Sequence, residues 1–311
     1  MKLRAGLALS ALLLAISPVA AAEIRLVASF SILGDMAQVV GGDRVEVTTI
    51  VGPDADAHVY EPKPSDAAAM SAADLVVLNG LGFEGWMDRL VEASGYQGPT
   101  VVASQGAAIH EMHEDDHDEH GDDHDAHEDG HHHEGEDPHA WQDLANGIRY
   151  VDNIRQGLCD VDAEGCAVYT TNAATYVSQL TELDARIRAD IAAIPEARRK
   201  VITSHDAFGY FGVAYGITFL APEGISTDAE PSAAAIARLI SQIRSEGVTA
   251  LFVENMSDAR LLAQIASETG IEPGGTLYAD ALSSLAGPAP TYLDMFSHNA
   301  ALLIAAMEKA P

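Results

Sequence analysis

Two blocks of short Val- and Ile-rich runs, each alternating with amphipathic stretches, stand on either side of one unbroken helical stripe. The runs of the first block are "IRLVASF" (24–30), "VEVTTIV" (45–51), "DLVVLNG" (74–80) and "TVVAS" (100–104). Those of the second are "KVITSH" (200–205), "ITFLAP" (217–222), "TALFVEN" (249–255) and "TLYAD" (276–280). Between them, residues 32–40, 65–73, 232–246 and 258–269 carry helical patterns. Alternation of this kind predicts parallel sheets covered by helices. The expected class is α/β, with two lobes, each a roughly four-stranded parallel sheet flanked by helices. The stripe between the blocks is Tyr169, Ala173, Tyr176, Leu180, Leu183, Ile187, Ile191 and Ile194, in steps of three and four. It predicts one long helix, N-capped by Asp162 and stopped by Pro195. About 30 residues at about 1.5 Å each make a rod of roughly 45 Å, enough to back both lobes. A coiled-coil dimer arm is the competing reading; only about four heptad steps are present, which favours a rod packed on its own lobes in a monomer. The boundaries follow: an N-terminal lobe over 23–160, the linking helix over 161–195 and a C-terminal lobe over 196–311.

The 311-residue chain is long enough for such cores, and its 48% apolar content is ordinary for a folded protein. Its formal net charge of −30 excludes nucleic acid and anionic lipid as partners and favours cations. Much of that charge is local. Residues 110–137 hold 14 acids, 9 histidines and no Lys or Arg; without them 33 acids face 17 bases, for a charge of −16. The first 22 residues read as a signal peptide. Lys2 and Arg4 precede a 12-residue apolar run over 5–16, too short to span a bilayer comfortably, and Ala20, Ala21 and Ala22 suit cleavage before Glu23. Export, with the periplasm as the expected compartment, makes the only two cysteines, Cys159 and Cys166, a predicted disulfide across a short loop.

Four histidines lie outside the rich stretch: His58, His139, His205 and His298. His58 and His139 sit in Pro-containing loops, His205 closes the run "KVITSH", and Asp280 closes "TLYAD". Strand ends are where parallel α/β sheets bind ligands. Three imidazoles and a carboxylate suit a borderline-soft cation such as Zn²⁺, whereas Ca²⁺ or Mg²⁺ would demand oxygens. Spacing alone does not join four distant residues into one site, and a lone loop histidine is usually a solvated one. His298, near a terminal helical segment, reads as a surface residue.

Together, "DAHVYEPKPSD" (56–66), "DPHAWQD" (137–143), "SHDAFGYF" (204–211), "LYADAL" (277–282) and "AEPSAAAIARLISQIRSEGVTALFVEN" (229–255) resemble the zinc/manganese class of solute-binding proteins of bacterial ABC importers. The resemblance covers essentially the whole mature chain in order. It implies two α/β lobes joined by a rigid helix, with a metal held between them by His58, His139, His205 and Asp280. It also implies delivery to a membrane permease driven by a cytoplasmic ATPase, with no reaction catalysed. Manganese-dedicated members commonly carry Glu at the third ligand position; His205 there favours Zn²⁺ on ligand softness. The family often has Pro before the first ligand, where this chain has Ala57. Glu61 is a further residue near that ligand in sequence. Asp143 and Asp206, close in sequence to His139 and His205, are candidates to orient those rings, or else simple helix caps.

The rich stretch matches the zinc-protease pattern H-E-x-x-H at 113–117 and 127–131, but neither match has an apolar face, and chance matches come easily in such a composition. His110, His113, His117, His120, His124, His127 and His131 step by three and four, with His132 and His133 following. Gly121, Gly130 and mutual acid repulsion predict disorder without metal, and the density of histidine predicts multiple weak metal sites. Family members of the zinc type often carry such a loop. It could capture zinc, pass it to the cleft, or dock a periplasmic zinc metallochaperone. The rival functions are the same receptor serving manganese or iron, an exported zinc hydrolase dependent on Glu114 or Glu128, and a surface adhesin or metal buffer.

Overall fold

A computed structural model describes residues 24–110, 136–229, 231–248 and 250–309. The predicted signal peptide, and with it His113, His117, His120, His124, His127, His131, His132 and His133, lie outside the described residues. The first half runs β1 (Ile24–Phe30), α1 (Ser31–Gly41), β2 (Val45–Val51), α2 (Pro64–Ser71), β3 (Leu75–Leu78), α3 (Met87–Ser94) and β4 (Thr100–Val102). Two helices follow, α4 (Leu144–Val161) and α5 (Cys166–Ala192). The second half runs β5 (Lys200–Ile202), α6 (Gly209–Tyr215), β6 (Thr218–Leu220), α7 (Ala233–Glu246), β7 (Ala250–Glu254), α8 (Ala259–Thr269), β8 (Pro273–Leu277) and α9 (Tyr292–Lys309). No helix among the described residues is long and apolar enough to cross a membrane.

The two halves build sheets of the same topology. One is ordered β2-β1-β3-β4, the other β6-β5-β7-β8, and every pairing is parallel. The central strands are covered on both faces, which is why they read as continuous apolar runs and not as alternating ones. Leu26, Ala28 and Phe30 of β1 are fully buried, as are Leu75 and Val77 of β3. The runs closing the second sheet differ from expectation. β8 starts at Pro273 and ends at Leu277, so Asp280 lies beyond the strand; the register shift between Leu251 and Val253 and the pair Gly274-Gly275 account for this irregular edge.

The long helix is present as α5, 27 residues or about 40 Å, with Tyr169, Tyr176, Leu180, Leu183, Ile187 and Ile191 buried along one side. Asp162 does not cap it. It ends α4 instead, and its carboxylate accepts from Arg44 Nε (2.9 Å), Tyr169 Oη (2.6 Å) and Gly165 N–H (3.1 Å). Cys159 in the last turn of α4 and Cys166 at the start of α5 form the disulfide across this corner. One apolar core runs through both halves, from Leu26 and Trp141 to Phe211 and Phe296, with a smaller cluster of Ile202, Leu239, Ile243, Leu251, Leu262 and Ile265 under α7 and α8. At the seam α4 comes so close to α9 that a Cβ on Gly147 would stand 2.5 Å from Tyr292 Oη; that hydroxyl donates to the Trp141 carbonyl.

Candidate metal centre

His58 lies in the loop that links β2 to α2. Ala57 is fully buried and its carbonyl accepts from Trp86 Nε1 (2.8 Å), which fixes the backbone just before the ligand position. The His58 N–H donates to Asp56 Oδ1 (2.8 Å), and the ring meets Phe83 edge-on at 4.7 Å. The small Ala57 thus occupies a position where Pro is expected without disturbing the ring's seat.

His139 precedes a short 3-10 turn, 140–142, and is fully buried. Asn79, at the end of β3, donates to the Pro138 carbonyl (2.9 Å). Asn79 is itself held by Tyr150 Oη (2.6 Å), while its own N–H donates to the buried carboxylate of Glu84 (2.6 Å). Burial raises the Glu84 carboxyl above its ordinary range, against the pull of bonds from Ser29, Asn79 and Gly80. His139 Nδ1 lies 2.7 Å from Asp137 Oδ1. A carboxylate can only accept here, so Nδ1 carries a proton, and Nε2 is the ring atom turned toward the other three side chains.

His205 stands three residues beyond β5. Glu254, the last residue of β7, accepts from Ser204 N–H (2.8 Å) and His205 N–H (3.1 Å) with Oε1, and its Oε2 contacts His205 Nδ1. Ser204 Oγ in turn accepts from Glu254 N–H (3.1 Å). Asp280 follows Ala279, whose carbonyl accepts from Trp141 Nε1 (2.9 Å) and Gln142 Nε2 (2.7 Å). Those two bonds tie the His139 turn of the first half to the Asp280 loop of the second. Asn299 of α9 brackets Tyr278 from behind, accepting from its N–H (3.0 Å) and donating to its carbonyl (2.7 Å).

The result brings His58, His139, His205 and Asp280 together, with one donor atom from each inside a 4.8 Å cluster. Asp280 Oδ2 is 3.3 Å from His58 Nε2 and 3.1 Å from His205 Nε2, Asp280 Oδ1 is 3.6 Å from His139 Nε2, and the Nε2 atoms of His58 and His139 are 3.3 Å apart. Four ligands at about 2.0–2.1 Å from a tetrahedral centre stand about 3.3 Å from one another, so these four contacts are close to the spacing a metal shell needs. His205 Nε2 and both Asp280 carboxylate oxygens are buried and meet one another and the other two imidazoles without a well-aligned hydrogen bond, an arrangement that a shared cation would satisfy. Burial opposes the His205 imidazolium, but the charges of Glu254 and Asp280 outweigh it and hold its pKa well above the ordinary value. Burial likewise opposes the Asp280 carboxylate, and His205 and His139 more than compensate, keeping it well below.

The other candidates fall elsewhere. Glu61 is exposed outside the cluster. Asp143 caps α4 through Ala145 N–H (2.9 Å), the helix-cap alternative of the two readings, while the His139 and His205 rings face Asp137 and Glu254. Those two carboxylates were missed. Asp137 was visible two residues before His139 in "DPHAW"; Glu254 had one signal, an acid closing an otherwise apolar strand. His298 is half-buried, its Nε2 2.9 Å from the Thr276 carbonyl. His110, expected in a disordered loop, is described and stacks on Tyr210 at 4.0 Å, and Glu136 and Asp137 at the other end are ordered too.

Two parallel-sheet lobes around a buried cluster of three imidazoles and a carboxylate define a metal receptor. Comparison with known proteins specifies the kind. The family described as "Zinc-uptake complex component A periplasmic" matches residues 26–306. The manganese-binding lipoprotein MntA of Halalkalibacterium halodurans is 34% identical over 276 residues, 89% of this chain and 86% of the relative. The iron-binding protein YfeA of Yersinia pestis is 30% identical over 277 residues, 89% and 84% of the two chains. Among solved structures, the periplasmic zinc-binding protein TroA of Treponema pallidum superposes with a TM-score of 0.82 at 25% identity, covering 92% of this chain and 99% of that one. The chain belongs to the zinc-uptake component A family, the metal-binding receptors of ABC importers, which are transport proteins and not enzymes.

Proposed function

We propose that this receptor binds one Zn²⁺ tightly through His58, His139, His205 and Asp280 and delivers it to an ABC permease powered by a cytoplasmic ATPase. The observation that carries this is the donor set: three imidazole nitrogens and one carboxylate gathered within 4.8 Å of one another, all but His58 wholly buried. Nitrogen-rich sets favour zinc over manganese. A filled shell of four protein ligands leaves no position for an activated water, which sets the site apart from a hydrolase. The disulfide and the apolar N-terminal run support export to an oxidising compartment, the periplasm. The histidines of the rich stretch act as weak additional sites that gather metal.

The relatives named for manganese and iron favour a second reading, the same receptor serving one of those metals. Because almost any N/O site holds Zn²⁺ more tightly than Mn²⁺ or Fe²⁺, uptake and not competition in solution decides between them. Cells lacking this receptor lose zinc accumulation and keep that of manganese and iron; loss of manganese or iron uptake instead would overturn the assignment.

A further inference from the structure

Tyr210, in the first turn of α6, touches none of the four ligand side chains among its hydrogen-bond and ring contacts, yet its hydroxyl makes two bonds across the seam. It donates to the Asp137 carbonyl (2.7 Å) and accepts from the His110 N–H (3.1 Å). The knot is closed by Asp137 N–H, which donates to the His110 carbonyl (3.2 Å), while the His110 and Tyr210 rings stack at 4.0 Å and 11°. Backbone at both ends of the histidine-rich stretch is therefore pinned to one phenol of the second half.

The pinned residue is the one that orients a ligand. Asp137 Oδ1 accepts from His139 N–H (3.0 Å) and faces His139 Nδ1 (2.7 Å). Its other oxygen lies where a Cβ on Gly209 would come within 2.9 Å, so the residue preceding Tyr210 has to be small for the carboxylate to sit there. We propose that Gly209 and Tyr210 are positioning residues for the metal site: they seat Asp137, Asp137 fixes the ring and tautomer of His139, and the geometry offered to the metal thereby depends on contact between the two halves. Without the phenolic bonds, Asp137 loses its tie to the second half, and the His139 ring loses part of its reference. The part that concerns affinity rests on the metal-receptor reading; the part that concerns the ring does not.

Tyr210→Phe tests this, because it keeps the stacking ring and removes only the hydroxyl. Zn²⁺ affinity of the full mature chain, measured against a competing chelator, falls about 10-fold, the low end of what loss of an outer ligand partner costs. In an Asp137→Ala background the same substitution changes affinity little, since the carboxylate it positions is gone. An equal loss in both backgrounds, or no loss in either, overturns the proposal. The second readout needs no metal. Imidazole ¹⁵N shifts of the apo-protein show His139 locked with its proton on Nδ1 in the parent and as a tautomer mixture in Tyr210→Phe and Gly209→Ala. An unchanged His139 pattern overturns the proposal even if zinc binds as described, whereas a parent that shows the lock but binds no zinc overturns only the metal reading.

Discussion

At the scale of single residues, the site is a set of imidazoles each oriented by something behind it. His205→Ala removes a donor that no neighbour can replace, so tight binding of one metal ion is lost while weak binding persists; isothermal titration separates the two, and retention of the tight step would exclude His205. Glu254→Gln keeps the shape but weakens the bond that orients His205, and costs about 10- to 100-fold in affinity. Proton competition follows from the same contacts. The His205 pKa is held well above the ordinary histidine value of about 6.5, and metal binding needs the neutral ring. Affinity therefore keeps rising above pH 7, where an ordinary histidine has already lost its proton, and levels off at lower pH in Glu254→Gln. Zinc titrations from pH 6 to 9 check this; a plateau at pH 7 in the parent would contradict it. The four clustered side chains were legible because each stands in a connection between elements, among Pro, Asp and small residues. Of their orienting partners Asp137 was, two residues before His139, and Glu254 was not. Glu254 reaches His205 from a neighbouring strand 49 residues away, and Asp143, the acid that follows His139 after the turn, is spent on a helix N-terminus.

At the scale of elements, periodicity located the strands and the helices α1, α2, α5, α7 and α8 to within a few residues, because buried parallel strands and amphipathic helices write their periods plainly, and left α3, α4 and α6 unplaced. It failed at corners. Asp162 had the chemistry of an N-cap, but Arg44 and Tyr169 claimed its carboxylate, and α5 begins without a side-chain cap. A corner of another kind joins α1, α5 and α9. The Asp35 carboxylate accepts from Tyr292 N–H at the start of α9 (2.9 Å) and lies 3.4 Å from Tyr176 Oη. Burial pushes its pKa up to about 6, against the bonds from Tyr292 and Tyr176, with Asp294 adding repulsion. A carboxyl whose folded pKa is raised contributes stability that is present below about pH 4 and lost as the pH climbs through 6. Asp35→Asn keeps the acceptor without the charge. Urea unfolding of the apo-protein shows it gaining on the parent between pH 4 and 7 by on the order of 2–3 kcal/mol, since each tenfold change in proton affinity is worth about 1.4 kcal/mol; parallel curves would contradict the assignment. The rich stretch yields an element-scale prediction as well. Deleting 111–135, which leaves His110, Glu136 and Asp137 in place, lowers total zinc stoichiometry and spares the tight site. Loss of the tight site would show that its ligands had been misassigned.

Across the whole molecule, the halves are joined by more than a linker. Besides the shared core, Asp54 bridges the seam: its N–H donates to the Leu282 carbonyl (2.9 Å), and its carboxylate accepts from Asn255 Nδ2 (3.0 Å) and Ser284 N–H (3.3 Å). It does so with φ at 56°, a conformation an Asp tolerates better than most residues. Asp56, which binds the His58 N–H, also accepts from Thr227 Oγ1 (2.7 Å) in the second half. His58 is the one of the four clustered side chains with any exposure, 5% against none for the other three, so the loop 52–58 is the thin wall of the site. Thr227→Val removes one bond from that wall and speeds zinc release into excess chelator by about three- to tenfold, the kinetic equivalent of one net hydrogen bond. An unchanged release rate would place the exit elsewhere.

The continuous apolar core across the seam then bears on timing. Prising the halves apart would expose Trp141, Phe211 and Phe296 to water together, a penalty far above that of lifting seven residues of loop. How long the cation dwells is accordingly a matter of how often a short strip of backbone breathes.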